Sequence, residues 1–145
     1  MTIRRASADD AEAVTDVWIR SRRHAVPLIP PVESEPDARA YLLRIVRDGE
    51  VWVAEAEGGA AAMMALHDDW IGHLYVDPDF ARQGIGTQLV DLAKRLRPGG
   101  LQLWAFQSNV PAQRFYEQHG FVAVEWTDGS GNMERAPDVR YVWRP

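Results

Sequence analysis

The stretch Trp70-Ile71-Gly72-His73-Leu74-Tyr75-Val76-Asp77-Pro78-Asp79-Phe80-Ala81-Arg82-Gln83-Gly84-Ile85-Gly86-Thr87 decides how this chain folds. Residues 70–76 are mostly apolar or aromatic and read as a strand, ended by Asp77-Pro78. Gly84 opens a helix that carries Leu89, Val90, Leu92, Ala93 and Leu96, and Pro98-Gly99-Gly100 stops it. Between strand and helix the chain must turn sharply and leave backbone N–H groups bare. Gly84 and Gly86 put no side chain in the way of a ligand. The first N–H groups of the helix lack internal partners and sit at the positive end of its dipole. Such a turn suits a phosphate or pyrophosphate. On the loop alone, a tight turn with close helix packing reads equally well. The loop is not a dinucleotide fingerprint, because the third glycine is missing, and it is not a Walker loop, because no Gly-Lys-Ser/Thr follows.

Working outward, residues 2–5 are β-like, and Ser7 resembles an N-cap with Asp9 and Asp10 in the first turn. Ala11, Val14, Val17 and Trp18 recur at helical spacing, which predicts an amphipathic helix over residues 8–24. Residues 27–36 hold four prolines and predict an irregular loop. A second helix starts at Asp37, with Tyr41, Leu42, Ile45 and Val46 on one face, and ends at Asp48-Gly49. Strands at 51–54 and 60–66 flank the turn Glu57-Gly58-Gly59 as a hairpin. A strand at 101–106, a helix opened by Pro111 and closed by Gly120, and strands at 121–126 and 139–143 complete the chain. The order is β-α-α-β-β-β-α-β-α-β-β. It predicts an α/β (α+β) fold with a mixed, mostly antiparallel twisted sheet of about seven strands flanked by about four helices. The strand–helix–strand unit after residue 70 needs a parallel pair.

A chain of 145 residues that is 46% hydrophobic suits one globular domain with its own core. No apolar run is long enough to span a membrane, and no leader segment is evident at the N-terminus. The absence of cysteine excludes disulfides, thiolate metal sites and a Cys nucleophile, and it fits a cytoplasmic protein. A net charge of -5 argues against a nucleic-acid partner, which demands a field of basic residues. Lys94 is the only lysine, so arginine carries the basic charge.

A second constellation narrows the anion. After the strand at 101–106 come Gln107-Ser108-Asn109, then Ala112, Phe115-Tyr116 and Gly120-Phe121. The pattern Asn-x-x-Ala-x-x-Phe-Tyr-x-x-x-Gly-Phe follows the glycine loop at a fixed distance. Together with His73-Leu74-Tyr75-Val76-Asp77-Pro78, these segments resemble the GCN5-related N-acetyltransferase (GNAT) superfamily over residues 70–121. One position departs from the family's loop. Ala81 stands where a Gln or Arg is usual, so phosphate holding falls to backbone N–H groups of Arg82, Gln83, Gly84, Ile85, Gly86 and Thr87.

The resemblance implies an acetyl-CoA-dependent acyltransferase without a metal, in which an amine attacks the thioester directly. It implies that Leu74, Tyr75 and Val76 line the pantetheine arm and that a strand N–H near Val76 meets the developing oxyanion. Asn109 and Ala112 match cofactor-contacting positions, and Tyr116 matches the general acid that protonates the departing thiolate. His73, on the strand before the loop, is the candidate general base, since an unperturbed imidazole titrates near neutrality. It reads as well as a core or surface histidine. His67, Asp68 and Asp69 fit no metal-ligand spacing well. Trp18 and Tyr41 read as helix core, while residues 26–32 and 128–135 are polar or irregular segments that border the acceptor side. Glu134 and Asp138 could attract a cationic amine. The expected acceptor is a small-molecule amine or a peptide, and the C-terminal strand offers an edge for a homodimer. A catalytically silent CoA-binding sensor is the alternative reading.

Overall fold

The computed structural model describes residues 1–25 and 34–145. The expected acceptor-side segment at 26–32 lies outside them, as does most of the expected Pro-rich loop. The chain runs β1 (Thr2–Arg5), α1 (Ala11–Ala25), α2 (Glu35–Asp48), β2 (Glu50–Ala56), β3 (Gly59–His67), β4 (Trp70–Val76), α3 (Ile85–Leu96), β5 (Leu101–Phe106), α4 (Val110–Gln118), β6 (Val122–Trp126) and β7 (Asp138–Trp143). This is the element order that the sequence predicts.

Two helix starts differ from expectation. Residues 8–10 form a separate 3-10 turn before α1. There the Asp10 carboxylate accepts the Ser7 N–H at 2.7 Å and both Nη atoms of Arg4 at 2.9 and 2.7 Å. That guanidinium holds the Asp10 carboxyl down at about 2. Pro36 belongs to the first turn of α2 rather than to the loop before it, because Ser34 caps the helix and proline costs nothing where no N–H is needed.

The seven strands form one sheet in the order β1-β2-β3-β4-β5-β7-β6. All neighbours are antiparallel except β4 and β5. The C-terminal strand β7 therefore lies between β5 and β6, so the edge expected there for a second copy does not exist. The strand after α4 turns back on the outside, and the edges are β1 and β6. Helices α1 and α2 bury Val14, Val17, Trp18, Leu42 and Val46 against Val51, Val53 and Met63 on one face. Helices α3 and α4 bury Leu89, Val90, Ala93 and Tyr116 against Met64, Leu66, Leu103 and Tyr141 on the other. The alternation along β3 and β4 thus feeds two cores, which is why both strands read as nearly continuous apolar runs.

The β6–β7 connection is polar but tightly held. The Gln107 side-chain amide donates to the carbonyls of Thr127 and Asp138, each at 2.9 Å. The buried Asp138 carboxylate accepts the Thr127 hydroxyl and the Asn132 amide. Gly129, buried at φ 86, lies so close to the next turn that a Cβ would stand 2.4 Å from the Ala136 carbonyl carbon. Gly129→Ala is expected to destabilise the protein by about 1–3 kcal/mol, from overlap and left-handed strain together. Urea denaturation with circular dichroism measures it.

Candidate active site

Strands β4 and β5 pair at a single register position, Trp70 with Gln102. The Gln102 N–H donates to the Asp69 carbonyl at 2.9 Å, and its side-chain amide donates to the Asp69 carboxylate at 3.0 and 3.1 Å. Asp69 is thereby a clamp at the start of the pair. Beyond it the strands part, and a cavity of about 100 Å³ opens, lined by Leu74, Leu103, Ala105, Asn109, Ala112 and Tyr116 among others. On the β3 side, the β4 register shifts at Ala65/Leu66 and leaves Gly72 as the unpaired bulge residue.

The Tyr116 ring stacks edge-on against Phe115 and Phe121. Its hydroxyl makes no hydrogen bond to any described residue, and burial, with a smaller contribution from Tyr75, pushes the phenol well above its ordinary value. Asn109 caps α4, its side-chain oxygen accepting the Ala112 N–H at 3.3 Å. Its amide nitrogen has no hydrogen-bond partner among the described residues.

The turn after β4 is anchored from α1. The buried Asp77 carboxylate accepts Arg20 Nε at 2.8 Å and the Asp79 N–H at 2.9 Å. The Ser21 hydroxyl donates to the Val76 carbonyl at 2.7 Å, so that carbonyl already has a partner. Next come a 3-10 turn at Pro78–Phe80 and the exposed residues 81–84. Arg82 sits at φ 64 and Gly84 at φ 76, both in the left-handed region. The first helical bond runs from Gln88 N–H to Gly84 O at 3.1 Å, which leaves the N–H groups of Ile85, Gly86 and Thr87 without i−4 acceptors. No backbone bond among the described residues uses the N–H of Arg82, Gln83 or Gly84. Alternating turns that bare successive N–H groups at a helix start form an anion-binding concavity. Gly86 has a second role that the packing alternative anticipated, since a Cβ there would lie 3.2 Å from the Phe115 ring.

Thr87 is fixed from α4. Its hydroxyl lies 3.0 Å from His119 Nε2, and His119 Nδ1 lies 2.7 Å from the Phe115 carbonyl. A carbonyl only accepts, so Nδ1 carries the proton and a neutral His119 accepts from Thr87. His119 is therefore a strut between α3 and α4.

On the other side of the cleft, β4 turns His73 and Tyr75 toward α1 and α2. Tyr41 Oη lies 2.7 Å from His73 Nε2. Arg22 Nη1 donates to the Tyr75 hydroxyl at 3.3 Å and its guanidinium stacks over Trp18. A cavity of about 620 Å³ lies here, lined by Arg22, His73, Tyr75, Trp104, Glu134 and Asp138 among others. Burial, then the Arg22 charge, then His67, lower the His73 pKa to about 4. Among the described residues, no three His, Asp or Glu side chains converge as a metal site would require. Helical spacing read Tyr41 and Trp18 as core. That holds for Trp18, but Tyr41 reaches the site, and only its phenolic end could have hinted at it.

A family described as acetyltransferase (GNAT) domain matches residues 47–123. This chain belongs to the GNAT family. The match spans β2 to β6 and so contains the anion turn, the cleft and Tyr116. Relatives include the peptidyl-lysine N-acetyltransferase YiaC of Escherichia coli, 27% identical over 87% of this chain and 88% of its own. The peptidyl-lysine N-acetyltransferase YjaB of Salmonella typhimurium is 30% identical over 83% of each chain. In fold, a GCN5-related N-acetyltransferase from Rhodopseudomonas palustris matches with a TM-score of 0.85 at 21% identity, over 99% of this chain and 95% of its own. YncA of Salmonella typhimurium, solved with acetyl-CoA, matches with a TM-score of 0.70 at 20% identity, over 99% of this chain and 93% of its own. The protein is thus an acyltransferase of this family.

The depressed His73 pKa carries a stability consequence. The unfolded chain binds a proton at this imidazole near pH 6.5 and the folded chain only near pH 4, so the unfolded state holds more protons between those values. Stability is expected to fall as pH drops through that window. His73→Gln should flatten this part of the profile in urea titrations from pH 7 to 4.

Proposed function

We propose that the protein transfers the acetyl group of acetyl-CoA to a primary amine, with a lysine side chain of a polypeptide as acceptor. The observation that carries this reading is the divergence of β4 and β5 around the buried residue Tyr116, which lines the cavity between them. The peptidyl-lysine relatives support the acceptor class, and the YncA structure supports the acyl donor.

In this reading the N–H groups from Arg82 to Thr87 hold the pyrophosphate, and the backbone carries that task because Ala81 offers only a methyl group. Leu74, Tyr75 and Val76, with Asn109 and Ala112, line the pantetheine path. The free Asn109 amide nitrogen supplies a donor to it. The acceptor enters from the cavity that holds His73, where Glu134 and Asp138 favour a cationic chain. The amine nitrogen attacks the thioester carbon, a β4 N–H near Val76 steadies the oxyanion, and the C–S bond breaks. Tyr116 donates its proton to the departing sulfur. A phenol kept protonated by burial suits that role, because a thiolate is most basic at the moment it leaves. His73, neutral at physiological pH, receives the amine proton. Its low basicity means that it passes the proton on rather than keeping it. The domain acts as one unit, and a chain without cysteine that uses an intracellular acyl donor belongs in the cytoplasm.

Thiol release from acetyl-CoA with a lysine peptide tests the assignment. Tyr116→Phe is expected to lower kcat by about 10²-fold while calorimetric CoA affinity stays unchanged. Wild-type kcat in Tyr116→Phe removes the phenol from the mechanism. Tight CoA binding without turnover on any amine turns the reading toward a silent acyl-CoA sensor.

A further inference from the structure

A second cavity, of about 540 Å³, lies on the same side of the sheet, between α2 and the β2–β4 strands. Val51, Leu66, Arg44 and Asp48 are among the residues that line it, and the last two are exposed. It adjoins the acceptor cavity, for both are lined by Gly72 and His73. The acceptor cavity alone has room for a small amine, whereas an extended polypeptide segment can occupy both.

Gly72 keeps the two connected. It is exposed at the β4 bulge, and its φ is not among the left-handed ones, so the backbone does not demand glycine there. A Cβ would meet nothing nearer than the Ala65 carbonyl oxygen at 3.8 Å and a His67 ring carbon at 3.9 Å. A larger side chain would therefore fit the fold and stand where the cavities join. A glycine inside a strand weakens it, and close approach of another chain is one of the few reasons to keep one.

Charge indicates what approaches. Along α2, Arg39 bonds to Glu12, Asp16 and Glu35, and Arg47 bonds to Asp48. Arg44 has no carboxylate within ion-pair distance among the described residues, and its guanidinium lies over the Tyr41 ring, 5.4 Å from the centroid. Asp48, one turn further, is held by Arg47 instead. Glu50, also in this groove, is occupied by Arg97 at 2.8 Å and by the Trp52 indole at 2.9 Å. Among the described residues that line the groove, the one formal charge without an ion-pair partner is thus a cation, placed over the tyrosine that bonds His73.

We infer that this groove seats the polypeptide segment next to the acceptor lysine, and that Arg44 pairs with an acidic side chain on that segment. The inference rests on the lysine-acetylating reading above and adds the sequence context of the lysine. It gives Arg44 a role in specificity and none in the chemical step.

The test uses three lysine peptides of one length, flanked by glutamate, alanine or lysine, and a single capped lysine without neighbours. Wild type is expected to favour the glutamate-flanked peptide over the lysine-flanked one in kcat/KM by about three- to fivefold at low salt, the span of one partly exposed ion pair. The preference should shrink as salt is raised. Arg44→Glu should reverse the order of these two peptides, Arg44→Ala should level it, and both should acetylate the capped lysine as wild type does. Equal use of all flanks by wild type, or an unchanged preference in both variants, overturns the inference. Acetylation of the capped lysine in those same assays keeps the transferase reading intact. Thiol release from no amine at all overturns that reading and the groove together.

Discussion

Strands β4 and β5 are joined at Trp70 and Gln102 and nowhere else, and the remaining parts of the site depend on their separation. A sheet that stayed closed here would bury the backbone edges of both strands in each other. Opening it leaves those edges without partners, which is costly unless something else fills the gap. The protein fills part of it with α4, which sets Asn109, Ala112 and Tyr116 along the opening. Asp69 fixes where the opening starts by binding the Gln102 amide through both backbone and side chain. The bulge at Gly72 absorbs the extra residue on the other edge of β4, so β3 keeps its pairing while β4 bends away. In the proposed function, the amides of a pantetheine arm laid between the strands would restore hydrogen bonding to these edges.

The anion turn follows from the same strand. Where β4 ends, Asp77 is pinned by Arg20 and by the Asp79 N–H, and the Val76 carbonyl is pinned by Ser21. Helix α1 thereby fixes the approach to the loop at residues 81–84. From α4, Phe115 crowds Gly86 and His119 holds Thr87. The start of α3 is gripped from two directions, so its free N–H groups point in fixed directions before any ligand arrives. Pre-set donors lose little freedom on binding. In the proposed function, that preset geometry works in place of a side-chain contact at Ala81.

The reading from sequence alone was strongest where local chemistry dictates geometry. Apolar periodicity, the glycines and the prolines placed every strand and helix, because each acts within a few residues. The Asn109-to-Phe121 pattern pointed to the family because its members are tied to one helix. Partners far apart in the chain were another matter. Only a phenolic hydroxyl distinguishes Tyr41 from the other positions on its face of α2, and its partner His73 lies 32 residues away. Arg20 and Asp77 likewise look like solvated charges until the fold brings them together. The place of β7 was misjudged for a similar reason. Strand order is set by tertiary packing of α4 against the sheet, and hairpin logic alone leaves open which of β6 and β7 lies inside.

Two titrating groups flank the cleft, and their surroundings push them in opposite directions. Burial raises the Tyr116 phenol, so it keeps its proton at any physiological pH. Burial and Arg22 lower the His73 imidazole to about 4, so it stays neutral there. Both shifts come mainly from one cause, the exclusion of water by the two cores that meet at β4. In the proposed reaction, each group is therefore in its working form before an acceptor arrives, the phenol as donor and the imidazole as acceptor. The group that must still change its protonation state is the incoming amine, because a lysine arrives as ammonium near neutrality. A site built this way leaves the supply of neutral amine to the acceptor and its surroundings. The acidic residues of the acceptor cavity oppose that supply by favouring ammonium, while Arg22 at the same cavity favours its loss. The balance between Arg22 and the Glu134–Asp138 side then sets how readily the nucleophile forms, with the catalytic pair itself unchanged.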